Sequence, residues 1–362
     1  MNRRALRSFL ICCLLAPPLF ARPDQRLQRN AEFLALRAHD QQGFMRSCDM
    51  AYALCRELRS AEYLFVQSFA ERESRARSWA KVHIRAASTC GGIVFYPFGG
   101  PDATYPRALF PDCNDFVLAG LEPAGGAMLF ADLRHPHRAR LVRRTRAALK
   151  SLLERGYFVT AALKRDTAPE NLGGVLPLLV AQLARGDAQI VRIESVALSA
   201  SGDVETTALR ADGSAQAVVV TYHEAGEEGR HRRLWYFQQD LRNIFWREGR
   251  LAAWLARQKD GVAFFKAASY LPHSADFSEL TEFVLHHYAE ILQDDTGIAF
   301  ARFDRSVWHR NAYGKYGDLL PEFRAFFQGA IRDELGSFEP LPFSLGYAAP
   351  QGEGLMLYFR RR

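Results

Sequence analysis

The sequence predicts an α/β fold: a mixed sheet with flanking helices and a central antiparallel meander, preceded by a helical amino-terminal segment. Three features carry this expectation. Residues 26–87 contain a single glycine and no proline and are rich in Ala, Leu, Arg and Glu, a helical composition. From Gly91 the texture changes to short apolar runs punctuated by Gly, Pro and Asp. Between Gln189 and Gln239 several such runs follow one another with hairpin-type turns and no helical periodicity between them.

The chain opens with Arg3, Arg4 and Arg7, then an apolar run, Phe9–Phe20, ending at small Ala21. That layout predicts a secretory signal peptide over residues 1–21. The run is shorter than the roughly 20 apolar residues a bilayer span needs. A lipid-anchored leader using Cys12 or Cys13 is the rival reading, and the residues before Cys12 are too large for it. No later stretch predicts a transmembrane helix. The expected destination is the periplasm or the exterior.

Residues 22–88 are expected to form two or three helices, with Ala61, Leu64, Phe65, Ser68, Phe69 and Arg72 in a three-four rhythm. The α/β core is expected over residues 89–362. Strands are predicted at Ile93–Pro97 and Phe116–Leu121, and helices at Arg138–Arg155, stopped by Gly156, and at Val175–Arg185, stopped by Gly186. The antiparallel strands follow at Gln189–Leu198, Val204–Leu209, Ala215–Tyr222 and Arg233–Gln239. Then come a helix at Glu248–Gln258, a strand at Val262–Ala267, a helix at Ser278–His287 and a strand at Ile291–Gln293. The carboxyl end predicts a helix at Leu320–Leu335 and strands at Leu341–Gly346 and Gly354–Phe359. Val94–Pro123 and Val262–Gly297 share a strand–helix–strand–acid layout, which reads either as two related βαβ-containing halves, about 89–187 and 188–362, or as two ordinary βαβ units in one core.

The formal charge is +7, three units of it from the leader arginines. The surplus is spread along the chain, and its densest run, Arg138–Arg146, is interrupted by apolar residues at helical spacing, as on a solvated helix face. An exported chain with so diffuse a charge is not expected to bind nucleic acid. Export makes Cys48, Cys55, Cys90 and Cys113 candidates for two disulfides. On one unbroken helix Cys48 and Cys55 would stand about 10 Å apart, beyond the roughly 7 Å that a disulfide spans. Each would then pair with Cys90 or Cys113. A loop at Gly43–Asp49 permits Cys48–Cys55 with Cys90–Cys113 instead.

The chemistry must come from the acids. Asp102, Glu122, Asp240, Asp294 and Asp295 follow apolar strands, and parallel strands would bring such ends to one sheet edge, where ligands bind in open α/β folds. Crowded carboxylates either raise a pKa, giving a general acid, or hold a cation. Asp102, Glu122 and Asp294 are the candidate ligands for a divalent cation such as Ca²⁺ or Mg²⁺. Helix and turn capping is the competing use of the same residues. Lys266 needs a partner or a catalytic task. His273 is the first histidine to test, ahead of His135, His137, His286 and His287. Ser269 lacks the glycines of a nucleophile elbow. Tyr96, Phe98, Tyr105 and Tyr270 lie near the acids in sequence and suit sugar stacking as well as core packing.

The segments FYPFGGPD, LFPDCNDFVLAGLEP, FFKAASYLPH, ILQDDTGIAF and LPFSLGY occur in that order. Together they resemble a family of uncharacterised exported bacterial proteins that carry YPF-x-GPD, GLEP, KAASYL and QDDTG segments. The resemblance covers most of the chain from Val94 onward and implies export and a shared fold. It brings no activity, and the four later cysteines are not part of its pattern. Two functions therefore fit the sequence. One is an envelope protein binding a small molecule or glycan in a carboxylate- and aromatic-lined cleft. The other is a secreted hydrolase acting on a glycan or ester through paired acids, with or without a divalent cation.

Overall fold

The structure is a computed structural model that describes residues 24–35, 70–90, 92–126, 137–207, 216–227, 229–247, 249–258, 261–317, 319–335, 338–348 and 354–362. The leader 1–21, Cys48, Cys55 and His135 lie outside the described residues.

Among the described residues, ten strands form one sheet in the order β4-β3-β5-β6-β2-β1-β7-β8-β10-β9. They are β1 (Ile93–Tyr96), β2 (Asp115–Gly120), β3 (Gln189–Leu198), β4 (Val204–Thr206), β5 (Ala217–His223), β6 (Arg232–Gln238), β7 (Gly261–Phe265), β8 (Glu290–Gln293), β9 (Trp308–Gly314) and β10 (Leu355–Arg361). The five central strands, β6, β2, β1, β7 and β8, are mutually parallel. Antiparallel pairs extend the sheet at both sides.

The central strands β1 and β7 are apolar throughout, and β1 and β8 are buried at every position, because both sheet faces are covered, as parallel sheets require. Alternate residues enter different cores. Val94, Tyr96, Phe116, Leu118, Val262 and Phe264 pack on one face. Phe95, Val117, Ala119, Ala263 and Phe265 pack on the other.

The first face is covered by α1 (Gln25–Ala35), a helix over 70–83 (α2), α3 (Thr104–Leu109), α4 (His137–Arg155), α5 (Thr160–Asp166) and α6 (Leu176–Arg185). The described helices of the amino-terminal segment, α1 and α2, thus belong to this layer: Gln28 of α1 accepts from the Ile190 amide at 2.7 Å, and Trp79 of α2 packs edge-on against Tyr313 and Phe343. The second face is covered by α7 (Asn243–Arg247), α8 (Arg250–Ala256), α9 (Ser278–His287) and α10 (Gly329–Leu335).

Both strand–helix–strand units are present. β1-α3-β2 steps away from the centre in one direction, and β7-α9-β8 steps away in the other. Right-handed crossovers in opposite directions place α3 and α9 on opposite faces, as their separate cores show. β1 and β7 are therefore neighbours whose connections diverge. The two halves read from the sequence share this single sheet, with β6 pairing to β2 and β7 to β1.

Several expectations are corrected. In the antiparallel stretch, β4 folds outward, so β3 sits between β4 and β5. Residues 341–345 are not a strand, although Leu341, Phe343 and Leu345 are buried. The helix expected over Leu320–Leu335 is a 3-10 turn, Pro321–Phe326, followed by α10. The strand β9 was not expected at all. Cys90 is bonded to Cys113, which overturns the arrangement pairing each of them with Cys48 or Cys55. The bridge ties together the segments entering β1 and β2, at the edge opposite the strand carboxyl ends.

Candidate cleft at the sheet switch point

Ligand sites in open α/β sheets lie beyond the strand carboxyl ends, where connections diverge. Here that point falls between β1 and β7. A cleft of about 660 Å³ opens above it. Its floor is built by the turns after β1, β2, β6 and β7. One wall is the 155–163 segment after α4, and the other includes Leu271 and Phe277. Phe323 and Tyr347 close one end.

The loops at this point hold strained backbone. Phe98, Ala267, Ser269 and Tyr270 have φ of 64°, 51°, 53° and 56°. Such values cost about 1–2 kcal/mol per non-glycine residue. Residues held this way cluster where a fold positions functional groups. Ser269 is exposed to the cleft, and its Oγ lies 2.6 Å from the Tyr347 hydroxyl, which donates to the Ala267 carbonyl at 3.2 Å.

Lys266 follows β7 directly. Strand alternation sends it to the same face as Val262 and Phe264. There its Nζ stands 2.6 Å from Asp102 Oδ2, with both side chains 1% exposed. It also donates to the Gly156 carbonyl and lies 3.9 Å from the centre of the Tyr105 ring. Gly156 ends α4 with φ of 82°, so a cation sits at a helix carboxyl terminus, where the macrodipole favours it. Burial pulls the lysine pKa down, while Asp102 pushes it up. The lysine nitrogen thus meets an acceptor or a ring face in three directions: Asp102, the Gly156 carbonyl and the Tyr105 ring.

Asp102 both caps α3 and holds the lysine. Its Oδ1 accepts from the amides of Thr104 and Tyr105 at 3.2 and 3.3 Å, and Tyr96 donates to its Oδ2 at 3.2 Å. Gln182 of α6 fixes this turn: it donates to the Pro101 carbonyl at 2.7 Å and accepts from the Ala103 amide at 3.0 Å. Asp102 thus serves the α3 cap and the Lys266 ion pair at once.

Glu122 follows β2 and lines the cleft. It is 4% exposed, and its nearest side-chain partner is the Tyr236 hydroxyl at 3.3 Å. Burial raises its pKa, and the Tyr236 hydrogen bond offsets this only in part. Its loop is pinned by Val175 N donating to Pro123 O at 2.9 Å, and Gly174 packs there with no room for a side chain, 2.5 Å from Gly125 Cα to a built Cβ. Asp240, after β6, also lines the cleft, but it is bound by Arg242 at 2.6 Å, whose hydrogen bond lowers its pKa.

Other sequence candidates separate from this group. Asp294 and Asp295 face a smaller recess of about 70 Å³ with Tyr270, Lys315 and Tyr316. Asp294 Oδ2 accepts from Ala267 N at 2.7 Å and its Oδ1 from Thr296 N at 3.0 Å, so it serves the strained loop. Burial raises its pKa despite these bonds. Asp295 accepts from the Tyr270 hydroxyl, and burial and the adjacent Asp294 push it up to about 7. Tyr105 is core, its hydroxyl turned to the Ser344 carbonyl at 3.3 Å. His273 is not a cleft residue: it packs against Tyr270 and Phe326, and its buried Nε2 has no hydrogen-bond partner. Burial lowers its pKa.

Asp102, Glu122 and Asp294 do not meet as a cation site, and among the described residues no group of three or more His, Cys, Asp or Glu could hold a metal ion. Sequence reasoning missed the wall Arg155–Thr160 and the contributions of Phe323 and Tyr347. Only Gly156, a helix stop beside two aromatics, hinted at the wall.

No family model, curated protein or solved structure matches the chain.

Proposed function

We propose that the protein binds a neutral, hydroxyl-rich small molecule, a sugar or short glycan, in the cleft between the β1 and β7 loops. One observation carries this reading: the cleft's charges cancel within the protein, while aromatic surface and hydrogen-bonding groups remain. Lys266 is matched by Asp102 and Arg242 by Asp240, and exposed Arg155 and Glu322, which also line the cleft, carry opposite charges. Glu122 is held toward its neutral form by burial. Phe98, Tyr157, Phe158, Phe323 and Tyr347 supply flat faces. Such a lining disfavours ions and suits a ligand with apolar ring faces and hydroxyl edges. The Cys90–Cys113 bridge fits an oxidising compartment, and among the described residues no helix is long and apolar enough to cross a membrane. Both fit export to the envelope or beyond.

A second reading has its own support. Glu122 and Asp240 are shifted in opposite directions in one cleft, the pattern of an acid and its ionised partner in glycan hydrolysis. Titration calorimetry against neutral oligosaccharides tests the first reading, with Tyr157→Ala and Phe323→Ala expected to weaken binding by at least about fivefold, since one stacked ring is worth about a kcal/mol or more. Binding kept in Glu122→Gln without turnover by either protein supports pure binding. Turnover that vanishes in Glu122→Gln establishes the hydrolase. Absence of any sugar binding at millimolar concentration rejects both.

A further inference from the structure

We infer that the cleft's ligand is amphiphilic: its polar head sits inside and an alkyl or acyl chain lies across the mouth. This rests on the glycan reading above and adds the chemistry of the second half of the ligand. Leu121, Val159 and Leu271 line the cleft and are also exposed to solvent, at 47%, 37% and 37%. A side chain in both positions can be covered only by something that leaves the cleft and continues outward.

The apolar surface does continue. Phe245, 43% exposed, lies beside cleft-lining Arg242, whose guanidinium sits 5.3 Å from its ring centre. Ile244, 65% exposed, is on the same turn of α7. Asn243 fixes that turn to the cleft wall by donating to the Ala275 carbonyl at 2.8 Å and to Ser278 Oγ at 3.0 Å. The buried part of the lining holds the polar groups of Lys266, Glu122 and Tyr96, and its exposed part adds the aliphatic side chains of Leu121, Val159 and Leu271 beside charged ones. A free sugar would leave the mouth wet and uncovered. A chain attached to the sugar would remove it from water.

The occupant is also limited in charge. Arg242 is satisfied by Asp240 and Lys266 by Asp102, and the lining sets the acid Glu322 against the remaining cation, Arg155, so it has no net surplus of positive charge to recruit a phosphate headgroup. A neutral glycolipid or alkyl glycoside is the matching class.

The test compares methyl and octyl β-glycosides of glucose, galactose and N-acetylglucosamine by titration calorimetry, below the micellar concentration. At least one octyl compound should bind about tenfold or more tightly than its methyl partner, the equivalent of burying about two methylenes. The double substitution Ile244→Ser and Phe245→Ser lies outside the cleft lining. It should cut that ratio about threefold or more, roughly the loss of one buried methylene, and leave methyl glycoside affinity unchanged. Equal affinity of methyl and octyl compounds overturns this inference and leaves the glycan reading intact. An octyl advantage unaffected by the double substitution also overturns it, since the chain then lies elsewhere. No binding by any compound overturns both. Binding to neutral phosphatidylcholine vesicles without binding of monomers assigns the rim to a membrane surface instead.

Discussion

The Asp102–Lys266 pair should behave as a structural keystone whose halves cannot be removed singly. In Lys266→Met the thioether still packs on the Tyr105 ring, but the Gly156 carbonyl loses its donor and the Asp102 carboxylate loses its counterion. Asp102 keeps only the Tyr96 hydroxyl and the amides of Thr104 and Tyr105. Stranding one member of a buried pair costs about 3–5 kcal/mol. That is a large share of the roughly 5–15 kcal/mol that holds a domain folded. Asp102→Asn strands the lysine in the same way and should cost a similar amount. The double variant strands no charge, and asparagine can still accept from the Thr104 amide. It should therefore lose less than either single variant. Equilibrium urea unfolding followed by circular dichroism, without reductant, measures all four corners of the cycle. A loss under about 1 kcal/mol for Lys266→Met, or a double variant that loses the sum of the singles, refutes the reasoning.

Other outcomes are expected. Asp295 is raised to about 7 from an ordinary value of 3.8, so between these values the folded chain keeps a proton that the unfolded chain has released. Its contribution is full below the lower value and lost as pH rises through the upper. The melting temperature should fall as pH rises from about 4 to about 7, and Asp295→Asn should flatten that fall; an unchanged slope counts against the assignment. Ala267→Gly relieves a φ of 51° at a small entropic cost and should stabilise the fold by about 0.5–1 kcal/mol, read by urea unfolding. A loss of stability would show that the alanine methyl matters more than its backbone. Replacing both Cys90 and Cys113 by serine opens a loop with a sequence separation of 23 and should cost about 3 kcal/mol. Sugar affinity at the far edge should stay within about twofold of the parent when both proteins are folded, less than about half a kcal/mol.

Much of the site could be read from the residues. Apolar runs ending in acids predicted where Asp102, Glu122 and Asp240 would emerge, because a buried parallel strand has no other sequence signature. Lys266 beside such a run demanded a buried partner, and it found Asp102. The Asp294–Asp295 doublet did not reveal which carboxyl serves the backbone and which meets Tyr270, since adjacent residues after a strand point to different sides. Residues 308–314, WHRNAYG, hide an edge strand behind charged and polar side chains, because one side of such a strand meets water. Residues 341–345 misled in the opposite way: Leu341, Phe343 and Leu345 are buried by packing alone, with no ladder. The cleft wall at 157–159 is a loop, and loops carry no periodicity to read.

Between β1 and β7 only three residue pairs are in register, Ile93–Gly261, Val94–Val262 and Phe95–Ala263. Every other parallel junction of the sheet is longer. The two crossover units thus meet along a short suture with one ionic stitch at its upper end. Whatever settles above that stitch touches both sides of it, so occupancy would act as a splint: amide exchange along the suture should slow, while the outer antiparallel ribbons exchange as before.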